Sequence, residues 1–273
     1  MPGVAGAGGL LDGPAAGKLA TMTSMTRLPD NTGTTLTAGI DAATHRQILD
    51  NLSRSSVATI TGWLNQRGYR NAYMCGLRCV RPDLRLVGRA RTMRLVPHRP
   101  DLADLYPSRD ENPHRKAVEH IGDGEVLVID AHANDEGGIL GDIMTARLKA
   151  RGAAGLVVDG SLRDVWQIKT LGLPVYVRHV NAAAIQRALS AVEMDGIVTC
   201  AGTGVRPGDY LVGDPDGVAV IPAVLAAEAA AYGAEHEDLE EFLREKVTGG
   251  SPLSEAYPPN EQVRAEYERF RRR

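Results

Sequence analysis

The sequence predicts an α/β protein with a parallel sheet, and three observations support this fold class. Short runs rich in β-branched residues occupy 125–130 (EVLVID), 155–159 (GLVVD) and 173–178 (LPVYVR), and segments with helical periodicity separate them. Glycine and acidic residues follow each of the first two runs, as in loops that lead from a strand into a helix. A chain of 273 residues that is 43% hydrophobic can also enclose a substantial core. The predicted order is β, α, β, α, β, which parallel strands joined by right-handed crossovers satisfy.

The charge balance and the cysteines argue against several classes of protein. Lys and Arg number 31 against 34 Asp and Glu, a net charge of −3, so the basic surface of a nucleic-acid-binding protein is not expected. No apolar run reaches the roughly 18 residues that a membrane helix needs, and the N-terminus lacks the pattern of a secretion signal. Cys75, Cys79 and Cys200 are too few for a disulfide framework. We therefore expect a cytoplasmic protein with no membrane or nucleic-acid partner.

The first third of the chain changes from a low-complexity segment to periodic ones. Residues 1–38 are dominated by Gly, Ala, Thr and Pro without periodicity, which predicts a flexible extension. Beyond them, AATHRQILDNL and SSVATITGWLNQRG repeat apolar residues at helical steps and predict two helices. Ser55 or Ser56 is expected to cap the second helix, and Gly68 is expected to end it. Residues 84–97 alternate apolar and polar side chains, as a half-buried strand does.

The remaining segments complete the predicted order of elements. Residues 101–113 are polar and contain proline, which indicates a loop. Residues 196–222 contain apolar runs broken by the turn sequences Arg-Pro-Gly-Asp and Asp-Pro-Asp-Gly, which predict tightly turned strands without a helix. Residues 223–247 predict a long helix that is interrupted at Gly233. The polar tail over 249–273 is expected to pack on the domain or on a neighbouring chain.

Charged residues stand just after two of the predicted parallel strands. The helices are expected to start near Leu140 and Ser161, which places Asp142 and the pair Arg163 and Asp164 in consecutive strand-to-helix loops. Such loops lie at one edge of the sheet, where ligands bind. Free N–H groups at a helix start and an arginine both bind carboxylates, and one carboxylate among waters is a usual way to hold Mg²⁺. An acid in a first helical turn and an adjacent Arg and Asp also occur as ordinary surface chemistry, so the spacing alone leaves both interpretations open.

A resemblance to a known family favours the functional interpretation. Asp142, twenty intervening residues and Arg163-Asp164 lie within GGILGD and AAGLVVDGSLRD. Followed by LPVYVR, they resemble the motif of the RraA-like family, which includes the divalent-metal-dependent 4-hydroxy-4-methyl-2-oxoglutarate aldolases. SSVATITGWLNQRG, LVGRARTMRLVP and VRPGDYLVGDPDGVAVIP extend the resemblance over residues 45–225. It implies a swivelling β/β/α fold, so the expected organisation is the flexible extension 1–38, a single RraA-like catalytic domain 39–225, and a C-terminal helix and arm 226–273.

The resemblance also implies roles for individual residues. Asp164 would bind the divalent metal, Mg²⁺ or Mn²⁺, and Arg163 would bind the carboxylate and the enolate oxygen of the substrate. Asp142 would position a water as the acid or base. The backbone amides implied to hold the substrate carboxylate are those of Gly141, Asp142, Ile143 and Met144. The expected assembly is a homotrimer or homohexamer with the cleft near a subunit boundary, where an acid from the neighbour's late helix supports the metal's waters. The candidates for that acid are Glu241 and, next, Glu237.

The activity that the resemblance implies is the metal-dependent release of pyruvate from a small 2-oxo acid. The reaction is either the aldol cleavage of a 4-hydroxy-2-oxo acid or the decarboxylation of oxaloacetate. The alternative function, from the same family, is a non-catalytic regulator that binds and inhibits an endoribonuclease, but the intact set of charged residues favours an enzyme. Where the aldolases usually have a further acid, this sequence has Trp166, Gln167, Ile168 and Lys169. The scattered histidines are not expected to bind metal: His114, His120, His132 and His179.

Overall fold

Strands and helices alternate through the middle of the chain. The computed structural model describes residues 40–106 and 108–271, and the extension predicted for 1–38 lies outside the described residues. The α-helices are α1 (Ala42–Arg54), α2 (Val57–Gln66), α3 (Pro113–Glu119), α4 (Asp142–Ala150), α5 (Val165–Ile168), α6 (Ala226–Thr248), α7 (Leu253–Ala256) and α8 (Glu261–Phe270). The strands are β1 (Tyr73–Met74), β2 (Arg78–Cys79), β3 (Leu86–Pro97), β4 (Glu125–Gly138), β5 (Gly155–Leu162), β6 (Val175–Val180), β7 (Leu189–Met194), β8 (Val198–Cys200), β9 (Thr203–Val205), β10 (Tyr210–Asp214) and β11 (Gly217–Ile221).

The predicted parallel unit forms the centre of the main sheet. This sheet has the order β1-β11-β10-β3-β4-β5-β6-β2, and β7 pairs with β3 beyond that path. Strands β3, β4, β5 and β6 are parallel to one another, whereas the other pairings of the sheet are antiparallel. Helix α4 connects β4 to β5, and α5 connects β5 to β6. The βαβαβ prediction is therefore confirmed, as is the prediction of short turned strands in 196–222.

Three hydrophobic cores define four layers. Side chains of β4 alternate between two faces: Leu127 and Ile129 pack with α3, α4 and α5 in one core. Val126 and Val128 face the other way and pack with side chains of β10 and β11, so two parts of the sheet face each other. The outer surface of β10 and β11 packs against α1, α2 and α6 in the third core. The layers are α/β/β/α, which is the expected β/β/α arrangement with one further helical layer.

The ends of the first two helices follow the sequence signals. The Asp41 carboxylate accepts hydrogen bonds from the first-turn amides of α1. Ser56 is the N-cap of α2, and its Oγ accepts the Thr59 N–H at 3.1 Å. Gly68, just beyond α2, has a φ of +87°, a left-handed conformation that favours glycine. The predictions that Ser55 or Ser56 caps α2 and that Gly68 ends it are confirmed.

Two helix starts lie later in the chain than the sequence suggested. Helix α4 begins at Asp142, two residues after the predicted start. Helix α5 begins at Val165, whereas the prediction was near Ser161. The reason is that Ser161 and Leu162 still belong to β5, where they pair with β6. This longer strand leaves Arg163 and Asp164 as the whole of the turn between β5 and α5.

The predicted interruption of the long C-terminal helix is wrong. Helix α6 runs without a break through Gly233, which is buried. A Cβ at Gly233 would lie 2.3 Å from Oγ of Ser55 and 3.0 Å from Cδ1 of Ile60. The glycine therefore allows α6 to pack closely on the first two helices. This packing offsets the low helical propensity of glycine, so the helix continues through it.

The polar tail packs on the end of α6. Leu239 and Leu243 of α6 form a small core with Val263 and Tyr267 of α8. An ion pair of 2.6 Å between Lys246 Nζ and Glu266 Oε2 joins the same two helices. The segment expected to be a loop, 101–113, contains most of a short 3-10 helix, Pro100–Leu105. No helix in the described ranges is both long enough and apolar enough to cross a lipid bilayer.

Candidate active site at the carboxyl edge of the parallel strands

Two loops at the carboxyl ends of β4 and β5 are joined by backbone hydrogen bonds. The N–H of Arg163 donates to the carbonyl oxygen of Leu140 at 3.1 Å, and the N–H of Ile139 donates to that of Ser161 at 2.8 Å. These bonds bring the start of α4 beside the turn before α5. Parallel strands with right-handed crossovers place their carboxyl-end loops in this way.

Glycine at position 141 lets the side chains of one loop lie against the backbone of the other. A Cβ there would lie 2.6 Å from Oδ2 of Asp164 and 3.0 Å from Nε of Arg163. The backbone of Gly141 has φ −109° and ψ −172°, an extended conformation that any residue adopts. The requirement for glycine is therefore the close approach of the Asp164 carboxylate and the Arg163 guanidinium to the backbone at the start of α4.

Asp164 is held in a backbone conformation that is uncommon for residues other than glycine. Its φ of 55° and ψ of 31° are left-handed. Such a conformation persists only where the surrounding structure holds it, and it occurs often at functional sites. Its Oδ2 lies 3.4 Å from Nε of Arg163, and the two side chains are 43% and 44% exposed. An ion pair this exposed contributes about 0–1 kcal/mol to stability, so it is a poor structural reason for the turn. Both groups remain open to a ligand.

The start of α4 offers unused hydrogen-bond donors. The carbonyl of Gly141 accepts bonds from N–H and Oγ1 of Thr145, at 3.1 and 2.8 Å. Within the described residues, no hydrogen bond uses the backbone N–H groups of Gly141, Asp142, Ile143 or Met144. The first four N–H groups of a helix have no partner inside the helix, and with the helix dipole they favour an anion. The Asp142 side chain, half-buried beside them, makes no ion pair or hydrogen bond with any described residue.

The donor set at this edge fits a hard cation that keeps several waters. Nowhere in 40–106 and 108–271 do three His, Cys, Asp or Glu side chains gather as a metal cage would require. Asp164 offers one exposed carboxylate next to the amides of α4, which suits Mg²⁺ or Mn²⁺ bound through one carboxylate, waters and substrate oxygens. The rings of His114 and His132 lie within hydrogen-bond distance of the carbonyls of Ile139 and Leu95.

The two acids expected from a late helix lie elsewhere in the chain. Glu241 is on α6 and forms an ion pair with Arg244. Glu237 accepts hydrogen bonds from the N–H of Ser56 at 2.9 Å and from Oγ1 of Thr59 at 2.8 Å. Burial raises the pKa of Glu237, but these bonds outweigh it and hold the pKa below its ordinary value. Because α6 packs on the opposite outer layer from α4, one chain does not bring either acid to the two loops.

His114 contacts the loop before α4, a role that the sequence did not suggest. Its Nε2 lies 2.7 Å from the carbonyl oxygen of Ile139. His114 is the second residue of α3, and Asn112 caps that helix by accepting the His114 N–H at 2.9 Å. The signal that predicts α3 is the pair Asn112-Pro113, an N-cap followed by proline at the first helical position. The position of the His114 ring relative to Ile139 has no sequence signal of its own.

Replacing His114 is expected to change how stability depends on pH. Burial lowers the pKa of His114 below its ordinary value of 6.5, and Arg115 lowers it further, although the bond to Ile139 opposes this. The unfolded chain therefore binds a proton that the folded protein does not. The contribution of neutral His114 to stability is fully present above pH 6.5, the pKa in the unfolded chain, and is lost as the pH falls towards the lowered pKa of the folded protein. We expect the fall in Tm between about pH 7.5 and about pH 5 to be smaller in His114→Gln than in the wild type. An equal fall in Tm in the two proteins would contradict this prediction.

Comparison with known proteins assigns the chain to a family. The sequence model of the RraA-like family, described as Aldolase/RraA, matches residues 34–220. The chain belongs to the RraA-like family. A protein of Halalkalibacterium halodurans named "Putative 4-hydroxy-4-methyl-2-oxoglutarate aldolase" is 36% identical over 137 residues, which are 50% of this chain and 60% of that protein. A protein of the same name from Alkalilimnicola ehrlichii is 34% identical over 112 residues, which are 41% of this chain and 68% of that protein.

Solved structures share the fold of this RraA-like chain. An uncharacterized protein from Pseudomonas syringae has a TM-score of 0.67 at 25% identity, over 77% of this chain and 96% of that one. Streptomyces coelicolor RraAS2, described as an unusual member of the RNase ES inhibitor RraA protein family, has a TM-score of 0.65 at 32% identity, over 72% of this chain and 96% of that one. The mixed α/β domain and the family predicted from the sequence are therefore confirmed.

Proposed function

We propose that this RraA-like protein is a divalent-metal-dependent carbon–carbon lyase that releases pyruvate from a 4-hydroxy-2-oxo acid and also decarboxylates oxaloacetate. The observation that carries the proposal is the contact at Gly141, where free helix-start amides meet the Arg163 guanidinium and the Asp164 carboxylate. Each of these groups suits one part of a 2-oxo acid bound to a metal. The aldolase names of relatives from Halalkalibacterium and Alkalilimnicola support the same class.

Asp164 is the residue we assign to the metal, which we take to be Mg²⁺ or Mn²⁺. Its carboxylate is exposed and lies beside the substrate-binding groups, which a metal ion bound by both the protein and the substrate requires. When bound, the metal supplies a positive charge that polarises the 2-keto oxygen and lowers the pKa of nearby water. The left-handed backbone of Asp164 aims the side chain from a turn of only two residues.

The other residues bind the substrate and move protons. The amides of Gly141, Asp142, Ile143 and Met144 bind the carboxylate of the 2-oxo acid. Asp142, acting through a water, accepts the proton of the 4-hydroxyl as the bond between C3 and C4 breaks, and the electron pair of that bond forms the enolate of pyruvate. Arg163 stabilises the enolate oxygen, a contribution of about 3–4 kcal/mol for one preorganised donor. A proton added to C3 then completes pyruvate, and C4 leaves as an aldehyde or ketone.

An assembly of three or six copies is the form we propose for the active protein. Ile143 and Trp166 are each 79% exposed, and both belong to the elements that carry the proposed site. Two large apolar side chains this exposed on neighbouring elements of the site suit a surface that a second subunit covers. We assign to the neighbour's Glu241 the role of the acid that the single chain does not supply. Cys75, Cys79 and Cys200 are all free, which suits the cytoplasm that we propose as the location.

The alternative is a regulator that binds an endoribonuclease without catalysis. The likeness to Streptomyces coelicolor RraAS2, a member of an RNase ES inhibitor family, favours this alternative. A protein-binding surface, however, has no need of free helix-start amides facing an Arg and an Asp around a glycine.

A substrate panel tests the proposed function and defines its substrate length. Pyruvate is measured with oxaloacetate and with 4-hydroxy-2-oxo acids of increasing length, in the presence of Mg²⁺ or Mn²⁺. Because free metal ions also decarboxylate oxaloacetate, the blank is the same metal with the Asp164→Asn protein. We expect pyruvate above that blank for at least one hydroxy acid. A folded protein that produces none, but inhibits an endoribonuclease in a cleavage assay, would establish the alternative.

A further inference from the structure

We propose that His114 is a positioning residue that aligns the substrate-binding amides by donating its Nε2–H to the carbonyl of Ile139. This inference rests on the proposed function and adds to it a residue from a third element, α3, outside the two loops. The 2.7 Å contact joins α3 to the segment two residues before the helix cap Gly141.

The chemistry of the two partners defines the tautomer of the ring. A carbonyl oxygen only accepts hydrogen bonds, so the nitrogen of His114 that contacts Ile139 must carry a proton. The partly buried ring is neutral near pH 7, because burial holds the pKa of His114 below its ordinary value. A neutral imidazole has one N–H, and that proton therefore sits on Nε2. The hydrogen bond from His114 is thus present throughout the neutral pH range.

Each peptide of the loop before α4 makes a hydrogen bond, and His114 donates one of them. The N–H of Ile139 binds Ser161, and the carbonyl of Leu140 accepts the N–H of Arg163. The carbonyl of Gly141 accepts two bonds from Thr145. The carbonyl of Ile139 is the one acceptor of this run that is bonded to a side chain from another helix. Without it, the peptide between Ile139 and Leu140 loses its bond to α3, and the chain that leads into the substrate-binding amides is less firmly held at that point.

Helix α3 is a firm base for this contact. Asn112 and Pro113 fix its first turn, and Ala117 and Val118 are buried in the core between the helices and the parallel strands. His114 also lines a cavity of about 190 Å³ together with Ile185 and Leu189. Removing the imidazole enlarges this cavity towards the Ile139 carbonyl, so the space opens next to the loop.

The test compares variants that lose the donor with one that keeps it. His114→Leu and His114→Phe both remove the N–H donor. The His114→Phe variant keeps a ring in this position and is used if the His114→Leu protein does not fold. His114→Gln places an amide N–H near the position of Nε2. His98→Leu is the matched control, because His98 lines the same cavity but bonds to Ser190 instead of the loop.

Two readouts separate positioning from general damage. In the His114→Leu and His114→Phe variants we expect faster hydrogen exchange at the bonded amides of Ile139, Thr145 and Arg163, with unchanged exchange in β3 and β5. We also expect KM for the 2-oxo acid to rise about tenfold, with a smaller change in kcat, because the amides bind the ground-state carboxylate. The His114→Gln variant should have the exchange rates and the KM of the wild type, and so should His98→Leu.

Defined outcomes would overturn the inference. Unchanged exchange at the amides of Ile139, Thr145 and Arg163 in a folded His114→Leu or His114→Phe variant would refute the positioning role. A Gln variant as defective as Leu and Phe would show that ring packing, and not the hydrogen bond, holds the loop. If the wild type releases no pyruvate from any substrate, the proposed function fails. The exchange experiment still decides whether His114 orders the loop.

Discussion

Asp164→Asn is expected to lower metal-dependent pyruvate release by about 10²–10³-fold while leaving the fold intact. The substitution removes the negative charge that we assign to the metal but keeps the size of the side chain. Asparagine tolerates the left-handed backbone that this turn requires, so the loop is preserved. The measurement is kcat at saturating Mn²⁺, with the Mn²⁺ dissociation constant determined on the same samples. We expect the variant to bind Mn²⁺ more weakly.

The control for this variant is Asp83→Asn. Asp83 is also exposed and paired with an arginine, Arg81, at 2.6 Å, but it lies outside the two loops. Its replacement should leave turnover and Mn²⁺ affinity unchanged. Full turnover in a folded Asp164→Asn protein would contradict the assignment of the metal to Asp164.

Gly141→Ala is expected to cost about 10²-fold in kcat/KM, through geometry alone. The added Cβ would lie 2.6 Å from Oδ2 of Asp164, so the carboxylate and the guanidinium of Arg163 must move away from the start of α4. The backbone at this position is acceptable to alanine, so the effect comes from the displaced side chains. A shift of about 1 Å in the groups that hold a substrate is enough for a loss of this size.

Gly62→Ala is the matched control for the glycine variant. Gly62 lies inside α2, and a Cβ there meets no atom within 4 Å. Alanine should stabilise the helix by about 0.5–1 kcal/mol without a change in activity. An unchanged kcat/KM in Gly141→Ala would contradict the assignment of the site to the junction of the two loops.

The sequence was sufficient for the parallel unit and for the position of the candidate site. The β-branched runs around Leu127, Leu156 and Val177 are buried on both faces of the sheet, so their composition, together with the helical segments between them, identifies them as parallel strands. Topology then places their carboxyl-end loops together. The spacing from Asp142 to Arg163 and Asp164 is therefore informative before any coordinates are known.

Features that depend on tertiary contacts were not predictable in this way. The start of α5 is set by pairing of Ser161 with β6, which no local signal reports. Gly233 looks like a helix break because its propensity is low, but the contact with Ser55 explains why glycine stands there. The bond from His114 to Ile139 joins α3 to a loop 25 residues away in the chain, so only the fold reveals it.

The most direct test of the central claim is removal and restoration of the metal. The wild-type protein is treated with EDTA, desalted, and assayed for pyruvate release from a 4-hydroxy-2-oxo acid before and after addition of Mn²⁺. We predict no release without metal and full recovery with Mn²⁺ in the wild type, and no recovery in Asp164→Asn. Release that persists in the metal-free protein, or recovery that does not depend on Asp164, would contradict the proposed metal-dependent lyase.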